Sequence, residues 1–364
     1  MIFKLVWENV RSHPVRTLLS ILLIAVPVTL ILTLIGLSNG FLEDSAKRTK
    51  GVGADLIFRA KDSSLMTFSG CALPQSVVAR LAVEPHIALA SGVVNWSIGG
   101  FDSITGIEVP SFNRMSGGFT FEQGHSFEKP DDILLDRYYA EQRHVHVGDP
   151  ISMLNRSWHI AGIVEPGKLA HIFLPIAVLQ DLTGCTGKVS QVYLKVDNQS
   201  NLEAAFNQLK DKYVDFPIYT KQAFTSLVSV QNIPLLAGFI NAVIGIGVVI
   251  GFAVVSLSMY MAVLQRTREI GILKSLGASN RFVLGMILAE ALILGLGGTL
   301  FGIALSFASR YFMQHLMPAS LPQAIVPIWW PIAGAIAMGA ALLGALYPGM
   351  MAVKQDPIEA LAYE

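Results

Sequence analysis

Charge is scarce in this 364-residue sequence: Asp, Glu, Lys and Arg together make up 14% of it, and 26 basic residues balance 26 acidic ones. Without a long Lys/Arg run or a net positive charge, nucleic acid is excluded as a partner. Catalytic phrases are missing as well. No G-x-x-x-x-G-K-[ST] phosphate loop occurs, because Gly167-Lys168 and Gly187-Lys188 are followed by Leu169 and Val189, neither of which supplies the hydroxyl. The chain therefore has no route to ATP hydrolysis by that loop. No H-E-x-x-H phrase is present, and no residue is assigned as catalytic. His144 and His146 would share a strand face, but two histidines without a third ligand read as a solvated pair, and no metal or cofactor is assigned. Cysteine is limited to Cys71 and Cys185, with no C-x-x-C spacing. An oxidising compartment would permit a bond between them; otherwise they are two small unpaired hydrophobes. No repeat or low-complexity tract appears.

What the sequence does have is long apolar runs, with 52% of residues hydrophobic. Four of these runs reach the roughly 18 to 20 residues needed to cross a bilayer. The first span is 17–42, the second lies within 222–265 with a stalk ahead of it, the third is 282–309 and the fourth is 329–353. A cleaved signal is the rival for the first run, but the run is too long for an h-region and no A-x-A site follows. Residues 1–16 read as a cytoplasmic interfacial helix, with Ile2, Leu5, Val6 and Val10 on one face. Outside 43–221, nine basic residues remain, and only Arg310 falls in the outer loop 310–328. That bias places both termini, including the tail 354–364, in the cytoplasm.

Residues 43–221 carry 37 of the 52 charged residues and change texture to short β-like runs at 55–58, 93–96, 103–107 and 192–196. Helical signals intervene at 73–82, with Pro74 in its first turn, and at 201–213. The stretches 148–153 and 159–164 read as paired strands with a turn. The fold class is thus an α-helical membrane protein with four transmembrane helices and an α+β extracytoplasmic domain inserted between helices 1 and 2.

Between the second and third spans lies a charged island, 266–281, with Arg266, Arg268, Lys274 and Arg281 against Glu269 alone. Ile270, Leu273 and Leu276 are spaced three apart, which predicts a shared apolar face on a short helix stopped by Gly277. Either this is an ordinary positive-inside loop lying on the membrane, or it is a docking element for a soluble partner. Glu290 is the one ionisable residue within a membrane run, and a basic residue of the island is its expected partner. Small-residue spacings at Gly36/Gly40, Gly247/Gly251 and Gly298/Gly302 mark places for close helix packing, although glycine is also simply common in membrane helices. Tyr311, Met313, His315 and Met317 alternate in a way that would suit a soft metal or haem only if extended; in a helix they are ordinary interfacial residues.

The phrase RTREIGILKSLGAS at 266–279, followed by Tyr347-Pro348-Gly349, Ala352 and Asp356-Pro357-Ile358-Glu359-Ala360-Leu361, resembles the MacB/FtsX/lipoprotein-releasing (type VII) family of ABC-transporter permeases. V-G-D at 147–149, A-G-I-V at 161–164 and F-L-P at 173–175 resemble that family's extracytoplasmic domain, which implies a base at 43–108 and 188–221 and a lobe at 109–187. The resemblance makes 266–281 a coupling loop, with Arg266, Arg268, Glu269, Gly271, Lys274 and Gly277 as ATPase-coupling residues. It implies a separate ABC ATPase subunit that binds the ATP, since no Walker motif lies in this chain. It also implies a second permease copy, membrane lipids and a membrane-fusion protein as partners, and a cell (inner) membrane location. The expected function is mechanotransmission for export or release of a hydrophobic, lipid-linked or peptide substrate. An FtsX-like switch for a cell-wall hydrolase and a stand-alone receptor are the alternatives.

Overall fold

The computed structural model describes residues 8, 11–12, 14–61, 70–99, 102–227, 234–317, 319 and 322–354. The expected interfacial helix at 1–16 lies largely outside them, as do the tail and its D-P-I-E-A-L phrase. The chain divides into two compact units: a helical unit (Met1–Asn39, Pro234–Phe312, Gln323–Glu364) and a mixed unit (Gly40–Ile233, Met313–Pro322). The first helix, α1, runs Pro14–Lys50.

The mixed unit follows as β1 (Leu56–Arg59), β2 (Leu73–Pro74), α2 (Ser76–Ala82), β3 (Ile87–Gly99), β4 (Asp102–Ile107), α3 (Val109–Ser116), β5 (Phe121–Gly124), β6 (Asp132–Asp136) and α4 (Arg137–Arg143). Then come β7 (Pro150–Met153), β8 (Arg156–Val164), β9 (Ile172–Pro175), α5 (Ile176–Thr183), β10 (Lys188–Val189), β11 (Gln191–Val196), α6 (Leu202–Lys212), β12 (Ile218–Thr220) and α7 (Lys221–Leu227). Ten strands form one sheet in the order β12-β1-β11-β3-β4-β9-β6-β8-β5, with β7 paired to β8. Among the described residues, only β4–β9 and β6–β8 are parallel. Strands of the expected base and lobe are therefore continuous through the β4–β9 pairing, Ile104 opposite Ile172. The predicted hairpin is β7–β8, turning at Leu154 and Asn155, whose φ angles of 52° and 57° are those of a primed two-residue turn. The helix predicted from residue 73 begins later: Leu73 and Pro74 pair with Val189 and Lys188 instead.

Alternation along each strand feeds separate cores. In β1, Ile57 enters one core with Val93, Phe112 and Phe173, while Leu56 and Phe58 enter another with Leu81 and Leu209. The first of these cores also holds Leu42 from the end of α1 and Phe224 from α7. Both chain connections to the domain are thus fixed in one packed body. Leu169 N–H donates to the Arg48 carbonyl at the end of α1 (3.1 Å). Gly51 meets the Gly167 carbonyl so closely that a Cβ would sit 1.9 Å from its oxygen. A third core contains Trp158, Tyr139 and Ala319, and the Ala319 N–H donates to Gln142 Oε1 (3.0 Å). Cys71 and Cys185 form a disulfide, so of the two sequence readings the bonded one holds.

The helical unit contains the earlier part of α1, α8 (Pro234–Gln265), α9 (Thr267–Ser275), α10 (Asn280–Leu316) and α11 (Trp329–Lys354). Among the described residues, four helices are long and apolar enough to cross a membrane: α1, α8, α10 and α11. Leu18, Leu22, Ile246, Val249, Leu296 and Leu300 are exposed, so these helices are apolar outside as well as inside. That is the pattern expected where hydrocarbon is the solvent. Helix α10 continues through Leu316, so Tyr311, Met313 and His315 do not share the extended face that a metal or haem strip would need.

Candidate functional site

The island between α8 and α10 folds as α9, and local chemistry sets each of its limits. Thr267 Oγ1 donates to the carbonyls of Val263 and Leu264 (3.1 and 3.0 Å), closing the end of α8 as α9 begins. At the other end Gly277 takes φ 95°, and the Ala278 N–H reaches back to the Leu273 carbonyl (2.9 Å). This left-handed stop favours glycine. Ser279 then starts α10, its Oγ accepting from the Phe282 N–H (3.2 Å).

Two of the six expected coupling residues are spent on internal fastening. Arg266 Nη2 donates to Glu290 Oε2 of α10 at 2.7 Å, the pairing expected for that acid. Lys274 Nζ donates to the Val353 carbonyl at 2.9 Å, in the last turn of α11, where unsatisfied carbonyls concentrate negative potential. Arg268, Glu269 and Gly277 are exposed. Gly271 is buried with Thr267 and Ile270 and so is not on an outer surface.

The predicted apolar face is corrected in one respect. Ile270 is buried, but Leu276 is 80% exposed and lies just past the end of α9. Each three-residue step falls about 60° short of a full turn, so two steps carry Leu276 away from Ile270. Ile272 is exposed too, and with Leu276 it adds apolar surface beside Arg268 and Glu269.

The glycine pairs differ among themselves. A Cβ on Gly298 would lie 2.5 Å from Ile24 Cγ2, and one on Gly302 would lie 2.8 Å from Val28 Cβ and 2.9 Å from the Ala25 carbonyl. These two therefore let α10 approach α1 closely, and Thr29 Oγ1 donates to the Gly302 carbonyl there (3.1 Å). Gly247 and Gly251 make only ordinary contacts, the nearest being Pro27 Cβ at 3.4 Å and Ala340 Cβ at 3.7 Å. Gly36 is closed over by the segment at Gln323 and Ala324, with the Ala324 N–H donating to its carbonyl (2.9 Å), and not by a helix. Gly40 is buried and groups with the mixed unit. Spacing missed Gly344 of α11, whose Cβ would lie 2.7 Å from the Phe252 carbonyl of α8. It stands five residues from both Gly339 and Gly349, so no second glycine lies four residues away to mark it.

Four membrane helices, an α+β domain inserted after the first and a fastened charged helix between the second and third define a polytopic membrane subunit. The profile of the MacB-like periplasmic core domain matches residues 17–212, and that of the FtsX-like permease C-terminal region matches residues 241–357. The chain belongs to the MacB/FtsX family of ABC-transporter permeases, with its α+β domain extracytoplasmic.

An uncharacterized ABC transporter permease of Methanocaldococcus jannaschii is 26% identical over 68% of this chain and 66% of its own length. The macrolide export ATP-binding/permease protein MacB of Acinetobacter baylyi is 21% identical over 100% of this chain and 59% of its own. The uncharacterized permease YknZ of Bacillus subtilis is 26% identical over 60% of this chain and 55% of its own. The chain thus spans between 55% and 66% of the length of these relatives. A crystal structure of the periplasmic region of MacB from Actinobacillus actinomycetemcomitans aligns over 49% of this chain and 94% of its own, at 14% identity and a TM-score of 0.37.

Proposed function

We propose that this chain is the membrane subunit of an ABC transporter that passes the motion of a separate ATPase subunit to its extracytoplasmic domain. The observation that carries this reading is α9: a short helix fastened on one side and presenting Arg268, Glu269, Ile272 and Leu276 on the other. Through Arg266–Glu290 and Lys274–Val353, a push on α9 bears on α10 and α11 together. The domain end of α1 and the α7 segment ahead of α8 share one core through Leu42 and Phe224, so displacement of either connection bears on the whole domain.

On this reading both termini are cytoplasmic in the cell (inner) membrane, two permease copies meet two ATPases, and the chain itself hydrolyses nothing. ATP is bound by the partner. The cargo is a hydrophobic, lipid-linked or peptide substrate, exported or released, with a membrane-fusion protein as a further partner where two membranes must be crossed. Co-purification with the ATPase tests the reading. Glu269→Lys and Ile272→Asp should lose the ATPase while membrane insertion stays at the wild-type level. ATPase recovery equal to wild type in both variants would refute it.

A further inference from the structure

At the outer end of the helical unit, residues of α1, α10, α11 and the segment before α11 line an open cleft. Its floor is buried: Leu32, Ile35, Ser306 and Gln323. Phe307 is exposed at the mouth, edge-on to Trp330 (ring centroids 5.8 Å apart). Arg310 also lines the cleft, and none of the described lining residues is acidic.

Two observations point to a ligand. Gln323 is only 8% exposed, yet its side-chain oxygen Oε1 has no hydrogen-bond donor among the described residues. A buried acceptor of this kind is costly unless something supplies the donor. The second is depth. Arg281 and Arg310 are about 43 Å apart along α10 at 1.5 Å per residue, which matches the ~40–45 Å between the two headgroup layers. Trp329 and Trp330 at the start of α11 suit the same level. The cleft thus puts a guanidinium, an acceptor awaiting a donor and an apolar wall where headgroup meets acyl chain.

We propose that this cleft binds one phospholipid with an amine-bearing headgroup. Its phosphate would lie on Arg310, whose planar fork suits phosphate oxygens. The ammonium would donate to Gln323 Oε1, and the first part of an acyl chain would run along Phe307 and Leu32. Naming the outer leaflet rests on the topology proposed above; binding itself does not, so docking of the ATPase on α9 and this site can fail separately.

The test is a titration of the purified full chain in detergent with dioctanoyl phosphatidylethanolamine, followed by tryptophan fluorescence. Saturable binding is expected, with little response to dioctanoylglycerol or inorganic phosphate. Gln323→Leu and Arg310→Gln should each weaken it about tenfold or more, the scale of one hydrogen bond to a charged group. Gln323→Glu keeps an acceptor oxygen in place and should retain binding, which separates loss of the contact from loss of the fold. The proposal is overturned by no saturation in wild type, by equal binding of dioctanoylglycerol, by saturation with phosphate alone, or by unchanged affinity in Gln323→Leu and Arg310→Gln.

Discussion

Replacing each of four membrane glycines by alanine should separate those at which two helices meet from those that are merely helical. At Gly302 the added methyl would lie 2.8 Å from Val28 Cβ and 2.9 Å from the Ala25 carbonyl, and at Gly298 it would lie 2.5 Å from Ile24 Cγ2. Carbon atoms rest at about 3.5–4.0 Å, so α1 would have to withdraw by roughly 0.7–1.5 Å over at least a turn. Overpacking of that kind costs about 1–3 kcal/mol, and alanine's better helix propensity returns roughly 1 kcal/mol. The net expectation is destabilisation by up to about 2 kcal/mol at each site. At Gly251 the methyl would meet Ala340 Cβ at 3.7 Å, an ordinary contact, so the propensity gain remains and the variant should be as stable as wild type or more so. Gly247, with contacts at 3.4 and 3.5 Å, should lie close to zero. Reversible unfolding in mixed detergent–SDS micelles, followed by circular dichroism, measures all four. A cost at Gly251 equal to or greater than that at Gly302 would refute the reasoning.

Arg266→Ala or Glu290→Ala alone should destabilise by about 3 kcal/mol, whereas Arg266→Met with Glu290→Leu together should cost less than either single change; simple additivity in the same unfolding assay contradicts this. Reducing the Cys71–Cys185 bond, which joins residues 114 apart, should destabilise by about 2–5 kcal/mol, and thermal melts with and without reductant, repeated on the Cys71→Ser/Cys185→Ser variant, would show it. Although burial opposes the shift, hydrogen bonds from Lys212 Nζ (2.6 Å) and Tyr213 Oη (2.9 Å) hold the Glu84 carboxyl below its ordinary 4.5. A depressed folded pKa contributes stability above the unfolded value that is lost as pH falls through the folded one. Urea unfolding read from the domain should therefore weaken below about pH 4.5, with a shallower acid slope in Glu84→Gln; identical slopes would count against the contact.

What was legible in the sequence was whatever short-range chemistry decides. Charge-free runs marked the membrane helices, and Gly277 marked where α9 stops, because those signals act within a turn of the residues that carry them. The partner of Glu290 was legible because so few cations lie near it in the chain. Contacts across long separations were not. Nothing local tells Cys71 that Cys185 is beside it, or that Lys274 will reach the last turn of α11. The short β-like run at 55–58 announced a strand, but not that base and lobe would share one sheet, which depends on the β4–β9 pairing. Leu276 was misplaced because three-residue steps drift around a helix, and Gln323 went unnoticed because an orphaned acceptor exists only once a cleft has formed around it.

The central claim is that the exposed side of α9 is where an ATPase applies force. A photo-crosslinking amino acid placed in turn at Arg268, Ile272, Leu276 and the buried Ile270, in cells that also make the ABC ATPase, tests it most directly. The account predicts crosslinks to an ATPase, identified by mass spectrometry, from Arg268, Ile272 and Leu276 and none from Ile270. Absence of the ATPase at all three exposed positions, or equal capture at Ile270, would contradict it.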